Sequence, residues 1–195
     1  MSLAYKYKET AQYTYEDYKS WADEPRVELI DGVVYDMSAP TYNHQTLLLE
    51  VAFLFKGYLK GKTCSGYIAP ADVRLDYDKG DKTVVQPDFF IVCDKNKIDG
   101  QNCNGSPDFI LEILSPSTIS KDTVVKFNKY LEAGVREYWV LDPIAKTLYV
   151  HVLDNGKYVT SAYATGEEGV KTRVRAQIFE DFEIDLAALF EEIEA

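Results

Sequence analysis

The chain has 195 residues, 46% apolar and 27% charged, with a formal charge of −11. These figures describe a globular chain large enough for one core and exclude a disordered polymer. The negative sign argues against a polyanionic partner, although seven acids and no base fall in the acidic C-terminal segment 180–195.

No apolar run approaches the roughly 20 residues of a spanning helix, and the N-terminus lacks an apolar signal core. A single domain over 1–195, off the membrane and cytoplasmic, is therefore expected. Small basic clusters stand at Lys56, Lys60 and Lys62, and at Lys171, Arg173 and Arg175. Cys64, Cys93 and Cys103 are odd in number and form no CxxC pair. They read as free, buried or half-buried thiols rather than a disulfide framework or zinc site.

Along the chain, Thr14 with Asp17 three residues later marks a short helix start. "RVELI-DG-VVYDM" reads as a hairpin turning at Asp31-Gly32. "YNHQTLLLEVAFLFKGYLKG" is a long helix with Leu47, Leu48, Val51, Leu54 and Phe55 at helical spacing and Gly61 as terminator. Strands follow in "TCSGYIA", "DVRLDY" and "VVQPDFFIVCD"; Asp94 to Gly105 reads as a loop.

"PDFILEILS", the helix "STISKDTVVKFNKYLEAG" and "REYWVLD" form a strand–helix–strand crossover with parallel strands. Ser117 or Ser120 caps that helix, and Val124, Phe127, Tyr130 and Leu131 form its apolar stripe. A second hairpin turns at Asn155-Gly156; "VKTRV" is a short strand and "DLAALFEEI" a terminal helix. The fold class is α/β, a mixed central sheet flanked by helices.

Glu112 lies inside the apolar run Phe109 to Leu114, on the strand face of Asp108, Ile110 and Leu114. An ionised carboxylate there must be paired, protonated or bound to a cation. Asp88 repeats the oddity: it follows Pro87, a residue of strand starts and bulges, and opens the run Phe89 to Cys93. Glu28 and Asp72 are further acids on neighbouring strands. Glu28 has Arg26 or Arg74 as alternative partners, Asp72 reads equally as a turn residue, and for Glu112 a buried ion pair is the alternative. Oxygen ligands of this kind suit Mg²⁺, Mn²⁺ or Ca²⁺.

"QPDFFIVCD", "PDFILEILSPST" and "KFNKYLEAGVREYWVLDP" resemble the Uma-two family of endonucleases, within the PD-(D/E)XK restriction-endonuclease-like superfamily. The resemblance runs from "VELIDG" to "EYWVLDP". It implies a restriction-endonuclease-like fold, a Mg²⁺ (or Mn²⁺) site on Asp88 and Glu112 completed by Glu28, and hydrolysis of DNA by metal-activated water. The superfamily's lysine two residues after the acid is here Leu114; the resemblance moves that role to Lys126, with Lys121 and Lys129 as weaker candidates. His44 stands near a helix start, where a histidine can bond a carboxylate behind the metal or the scissile phosphate, with capping or packing as the alternative, and the family pattern has a histidine there; His151 reads as structural. Tyr5, Tyr7, Tyr13, Tyr15 and Tyr18 stack on bases or, more simply, pack in the core or an interface. A homodimer suits a nuclease that cuts both strands. The alternatives are a catalytically degenerate nuclease fold that binds nucleic acid or protein, and a hydrolase of another phosphoester.

Overall fold

The computed structural model describes residues 12–21, 26–116, 118–165 and 172–193. Tyr5, Tyr7, Ser117, Lys171 and Glu194 lie outside the described residues. In chain order the helices are α1 (Tyr15–Tyr18), α2 (Tyr42–Leu59), a π-helical turn (Lys121–Lys126) running into α3 (Phe127–Ala133), and α4 (Leu186–Glu191). The first strands are β1 (Val27–Ile30), β2 (Val33–Asp36), β3 (Ser65–Ile68), β4 (Asp72–Arg74), β5 (Val84–Val85), β6 (Phe89–Val92) and β7 (Asn102–Asn104). The rest are β8 (Phe109–Ile113), β9 (Glu137–Asp142), β10 (Thr147–Asp154), β11 (Lys157–Ala164), β12 (Arg173–Arg175) and β13 (Glu183–Asp185).

Both expected hairpins form. Ile30 pairs with Val33 across Asp31-Gly32, and Asp154 with Lys157 across Asn155-Gly156. All four turn residues have positive φ, the conformation a two-residue hairpin turn demands. The crossover also forms: β8 and β9 are parallel, with Glu112 opposite Val140. Gly134 ends α3 with φ 78°, and the Asp17 carboxylate accepts the Thr14 N–H at 2.9 Å at the head of α1.

Instead of one central sheet there are two principal ones. One has the order β2-β1-β5-β4-β7, the other β11-β10-β9-β8-β6-β3, with β12-β13 a separate pair. The single strand expected in "VVQPDFFIVCD" is in fact two. Val84–Val85 belongs to the first sheet and Phe89–Val92 to the second. Pro87 offers no N–H to a ladder, so pairing breaks between them and the chain changes sheet at Asp88. The expected loop Asp94 to Gly105 carries a 3₁₀ turn (Lys95–Lys97) and β7, which pairs parallel to β4.

Strand alternation divides the core. Phe89, Ile91, Phe109, Leu111, Ile113 and Trp139 face α2 and α4; Phe90, Val92, Ile110, Leu114, Tyr138 and Val140 face the first sheet and α3. The acidic segment anchors itself there by burying Leu186, Leu189 and Phe190. In α2, Leu47, Leu48, Val51 and Phe55 are buried, whereas Leu54, expected in the stripe, is exposed.

The cysteine expectation is corrected. Cys64 and Cys93 form a disulfide, and Cys103 alone is a free, buried thiol. The antiparallel register of β3 and β6 ends at Ser65 opposite Val92, which sets the next pair, Cys64 and Cys93, face to face. Among the described residues no helix is long and apolar enough to cross a membrane.

Candidate active site

The seam between the two sheets holds a cavity of about 90 Å³, lined among others by Glu28, His44, Asp88, Glu112, Lys121, Asp122 and Lys126. Each side chain arrives from a different piece of local structure. Glu28 comes from β1, where all four residues are buried. Asp88 stands at the sheet change, Glu112 on the β8 face turned to the seam, and His44 in the first turn of α2, capped by Thr41.

The lysines come from the π-helical turn. Positions five apart in an α-helix lie about 140° round the axis, at roughly 100° per residue. An i→i+5 turn instead brings them round to neighbouring places on one face, and both ammonium groups reach Glu28. The Thr123 hydroxyl donates to the Ile119 carbonyl at 2.6 Å, the acceptor an α-helical N–H of Thr123 would use. The stripe expected for this helix is therefore wrong at Val124, which is exposed; the face turned to the sheets is Asp122, Lys126 and Tyr130.

Lys126 is the centre of the cluster. Its ammonium lies 2.7 Å from Glu28 Oε1, 2.7 Å from Glu112 Oε1 and 3.7 Å from Asp122 Oδ1. The Tyr130 hydroxyl adds a second donor to Glu112 Oε1 at 2.6 Å. Glu28 is wholly buried: Oε1 also accepts the Gln86 N–H at 2.9 Å, and Oε2 has the Lys121 ammonium 2.7 Å away as counter-charge. The partners expected for Glu28 are thus corrected. Arg26 bonds Gln86 and Arg74 bonds Asp81, while Glu28 takes the two lysines.

Asp88 is held through one oxygen. Its Oδ2 accepts the Ile113 N–H at 2.8 Å and faces His44 Nε2 at 3.0 Å. A carboxylate acceptor requires a proton on Nε2, and Nδ1 of the buried His44 has no hydrogen-bond partner among the described residues. Glu112 Oε2 lies 3.4 Å from the Asp88 N–H. The two acids therefore sit side by side, each with one oxygen outside the strong bonds.

The electrostatics follow from burial and pairing. Burial pushes the Glu112 carboxyl up to about 8, and Lys126 opposes this only in part. Burial also raises Asp122. Burial alone would raise Glu28, but Lys126 and Lys121 together outweigh it and hold that carboxyl below its ordinary value. Burial works against the charge on Lys126, and the surrounding Glu112, Glu28 and Asp122 overcome it, keeping the ammonium protonated.

Among the sequence candidates, Asp88, Glu112, Glu28, Lys126 and His44 come together. Asp72 does not line the cavity; it accepts from Tyr18 and Gln86. Tyr15 lies over the Arg74 guanidinium, and Tyr13 and Tyr18 each pack against Trp21. His151 is buried, bonded to Thr160 and packed against Phe127, as a structural histidine would be. Sequence reasoning missed Asp122, Tyr130 and Gln86 and ranked Lys121 low. An α-helical period places Asp122 and Lys126 four apart on one face, a signal that was legible but read against the apolar stripe.

The fold is a mixed α/β domain whose two principal sheets meet at the seam where these acids converge. A solved relative shares it. The structure titled as a putative nuclease belonging to DUF820, from Anabaena variabilis ATCC 29413, superposes with a TM-score of 0.74 over 93% of this chain and 99% of that one, at 16% identity. Residues 15–187 match the Uma2 family, described as "Putative restriction endonuclease", and the chain belongs to that family. A curated relative, "Uncharacterized protein slr1290" of Synechocystis sp. (strain ATCC 27184 / PCC 6803 / Kazusa), is 26% identical over 157 residues, covering 78% of this chain and 80% of that protein.

Proposed function

We propose that this nuclease-family protein is a Mg²⁺- or Mn²⁺-dependent endonuclease that hydrolyses DNA phosphodiester bonds. The observation that carries the reading is the convergence of Asp88, Glu112 and Lys126 on one cavity from the sheet change, β8 and the π-helical turn. The residues fit a divalent cation. The acids of the cavity offer oxygen donors, as Mg²⁺ and Mn²⁺ prefer. Four carboxyl groups line the cavity against Arg26, Lys121 and Lys126, and Glu112 retains a raised pKa despite Lys126, so further positive charge would stabilise its ionised form.

In this reading Asp88 and Glu112 would hold the ion, whose chemistry there would be Lewis-acid activation of water and polarisation of a phosphoryl oxygen. His44 and the Ile113 N–H fix the Asp88 carboxylate in one orientation. Lys126 fixes Glu112 and supplies a permanent positive field where charge develops on the phosphate. Glu28 positions both lysines; contact between Glu28 and the ion would require exchange of those bonds. A homodimer, which we also propose, would use the outer face of α2, where Leu49 and Phe53 are 67% and 71% exposed.

The second reading is a degenerate nuclease fold that binds without cutting. One observation favours it: among the described residues no three His, Cys, Asp or Glu side chains are already grouped to hold a metal. Titration calorimetry with Mg²⁺ and Mn²⁺, followed by supercoiled-plasmid nicking, separates the two. The endonuclease reading expects binding and nicking in wild type and neither in Asp88→Asn. An absence of metal binding at millimolar concentrations would sink it in favour of the binding module.

A further inference from the structure

We propose that Lys121, rather than Lys126, makes the direct contact to the scissile phosphate; this rests on the nuclease reading above. The two lysines differ in what their donors are doing. An ammonium has three N–H donors and no acceptor. The Lys126 side chain is 3% exposed, with Glu28 and Glu112 at 2.7 Å and Asp122 beyond, so its donors are directed at protein carboxyls. Turning Lys126 to a phosphate would strand Glu112 and Glu28, two buried carboxylates, without their common counter-charge.

Lys121 has one ion pair among the described residues, to Glu28 Oε2, and its side chain is 13% exposed. At most one of its donors serves Glu28. The others are available at the cavity, which Lys121 lines beside Ser115 and Thr118. The ammonium can therefore bind an oxyanion without leaving Glu28, so no buried charge is uncovered. The π-helical register makes this possible, because an α-helical turn would place Lys121 about 140° away from Lys126. Glu28 then acts as a positioning residue that fixes the two ammonium groups, one for protein and one for substrate.

The test is the salt dependence of binding to short duplex DNA, without metal and with Mn²⁺, together with steady-state plasmid cleavage. Lys121→Met should reduce the slope of log affinity against log salt by about 0.9, the change for one lost phosphate contact. It should also raise KM more than it lowers kcat, and Lys121→Arg should restore the slope. Lys126→Met, assayed where it is folded, should keep the wild-type slope. The double variant Glu28→Gln/Lys121→Met removes the exposed buried charge and should show the same slope change, which separates lost contact from lost folding. A wild type that binds and cuts while Lys121→Met does so with the same slope and KM overturns the inference alone. A wild type with neither salt-dependent binding nor cleavage overturns the nuclease reading as well.

Discussion

Glu112 and Glu137 are both buried acids on adjoining parallel strands, three residues out of register. They face opposite sides of the same sheet. Glu137 shares the face of Phe109 and Trp139, accepting the Trp139 Nε1–H at 2.7 Å and the Ile178 N–H at 2.9 Å. Its donors are neutral. Glu112 shares the face of the seam, with an ammonium, a tyrosine hydroxyl and a cavity beside it. Burial raises both carboxyls above their ordinary range. A buried acid with a shifted pKa is therefore not by itself a site; what separates the two is the cationic partner and the open volume.

The comparison breaks most directly on activity. Glu112→Gln should remove nearly all plasmid cleavage, because it removes one of the two acids proposed to hold the ion. Glu137→Gln should leave cleavage near wild type. Equal losses in both would mean that burial, not chemistry, governs Glu112.

Stability sharpens it next. Lys126→Ala leaves Glu112 and Glu28 without their shared counter-charge, so urea denaturation should show a loss of about 3–5 kcal/mol. Trp139→Phe removes one neutral donor from Glu137 and should cost about 1–3 kcal/mol. If the Trp139 variant were the more damaged, the charged cluster would be less tightly compensated than its geometry indicates.

The smallest effect concerns His151, on the same side of the sheet as Glu112 but away from the cavity. Burial lowers its pKa to about 4. A depressed folded pKa means the neutral ring is favoured in the native state, so its contribution is complete above about 6.5, the unfolded value. It is lost as pH falls from there toward 4. Denaturation midpoints of wild type and His151→Gln should converge across that window; parallel profiles would show that His151 does not titrate with unfolding.

Much of this was legible in the chain. Asp88 and Glu112 stood out because charge in an apolar run demands a partner, Lys126 was implied by the family resemblance, and both hairpins were written in Asp31-Gly32 and Asn155-Gly156. Glu137 escaped notice because it stands second in "REYWVLD", beside Arg136, where an acid looks like a strand-end residue. The Cys64–Cys93 bridge was hidden because it depends on which strands neighbour each other and in what register, a tertiary fact. The sheet change at Pro87 had a local signal, but one strand and two broken strands read alike until pairing partners are known. The π-helical turn had no periodic signature, since an α-helical period was assumed across it.

That sheet change has a consequence for cooperativity. Glu28 belongs to one sheet and Glu112 to the other, Asp88 lies on the segment that crosses between them, and Lys126 joins the first two. Parting the sheets and dismantling the acid cluster are then the same event. The Ile113 amide, donated to Asp88 at the junction, should exchange its hydrogen only through the opening that unfolds the whole molecule. The amides of the exposed outer strand β11 report smaller, local fluctuations.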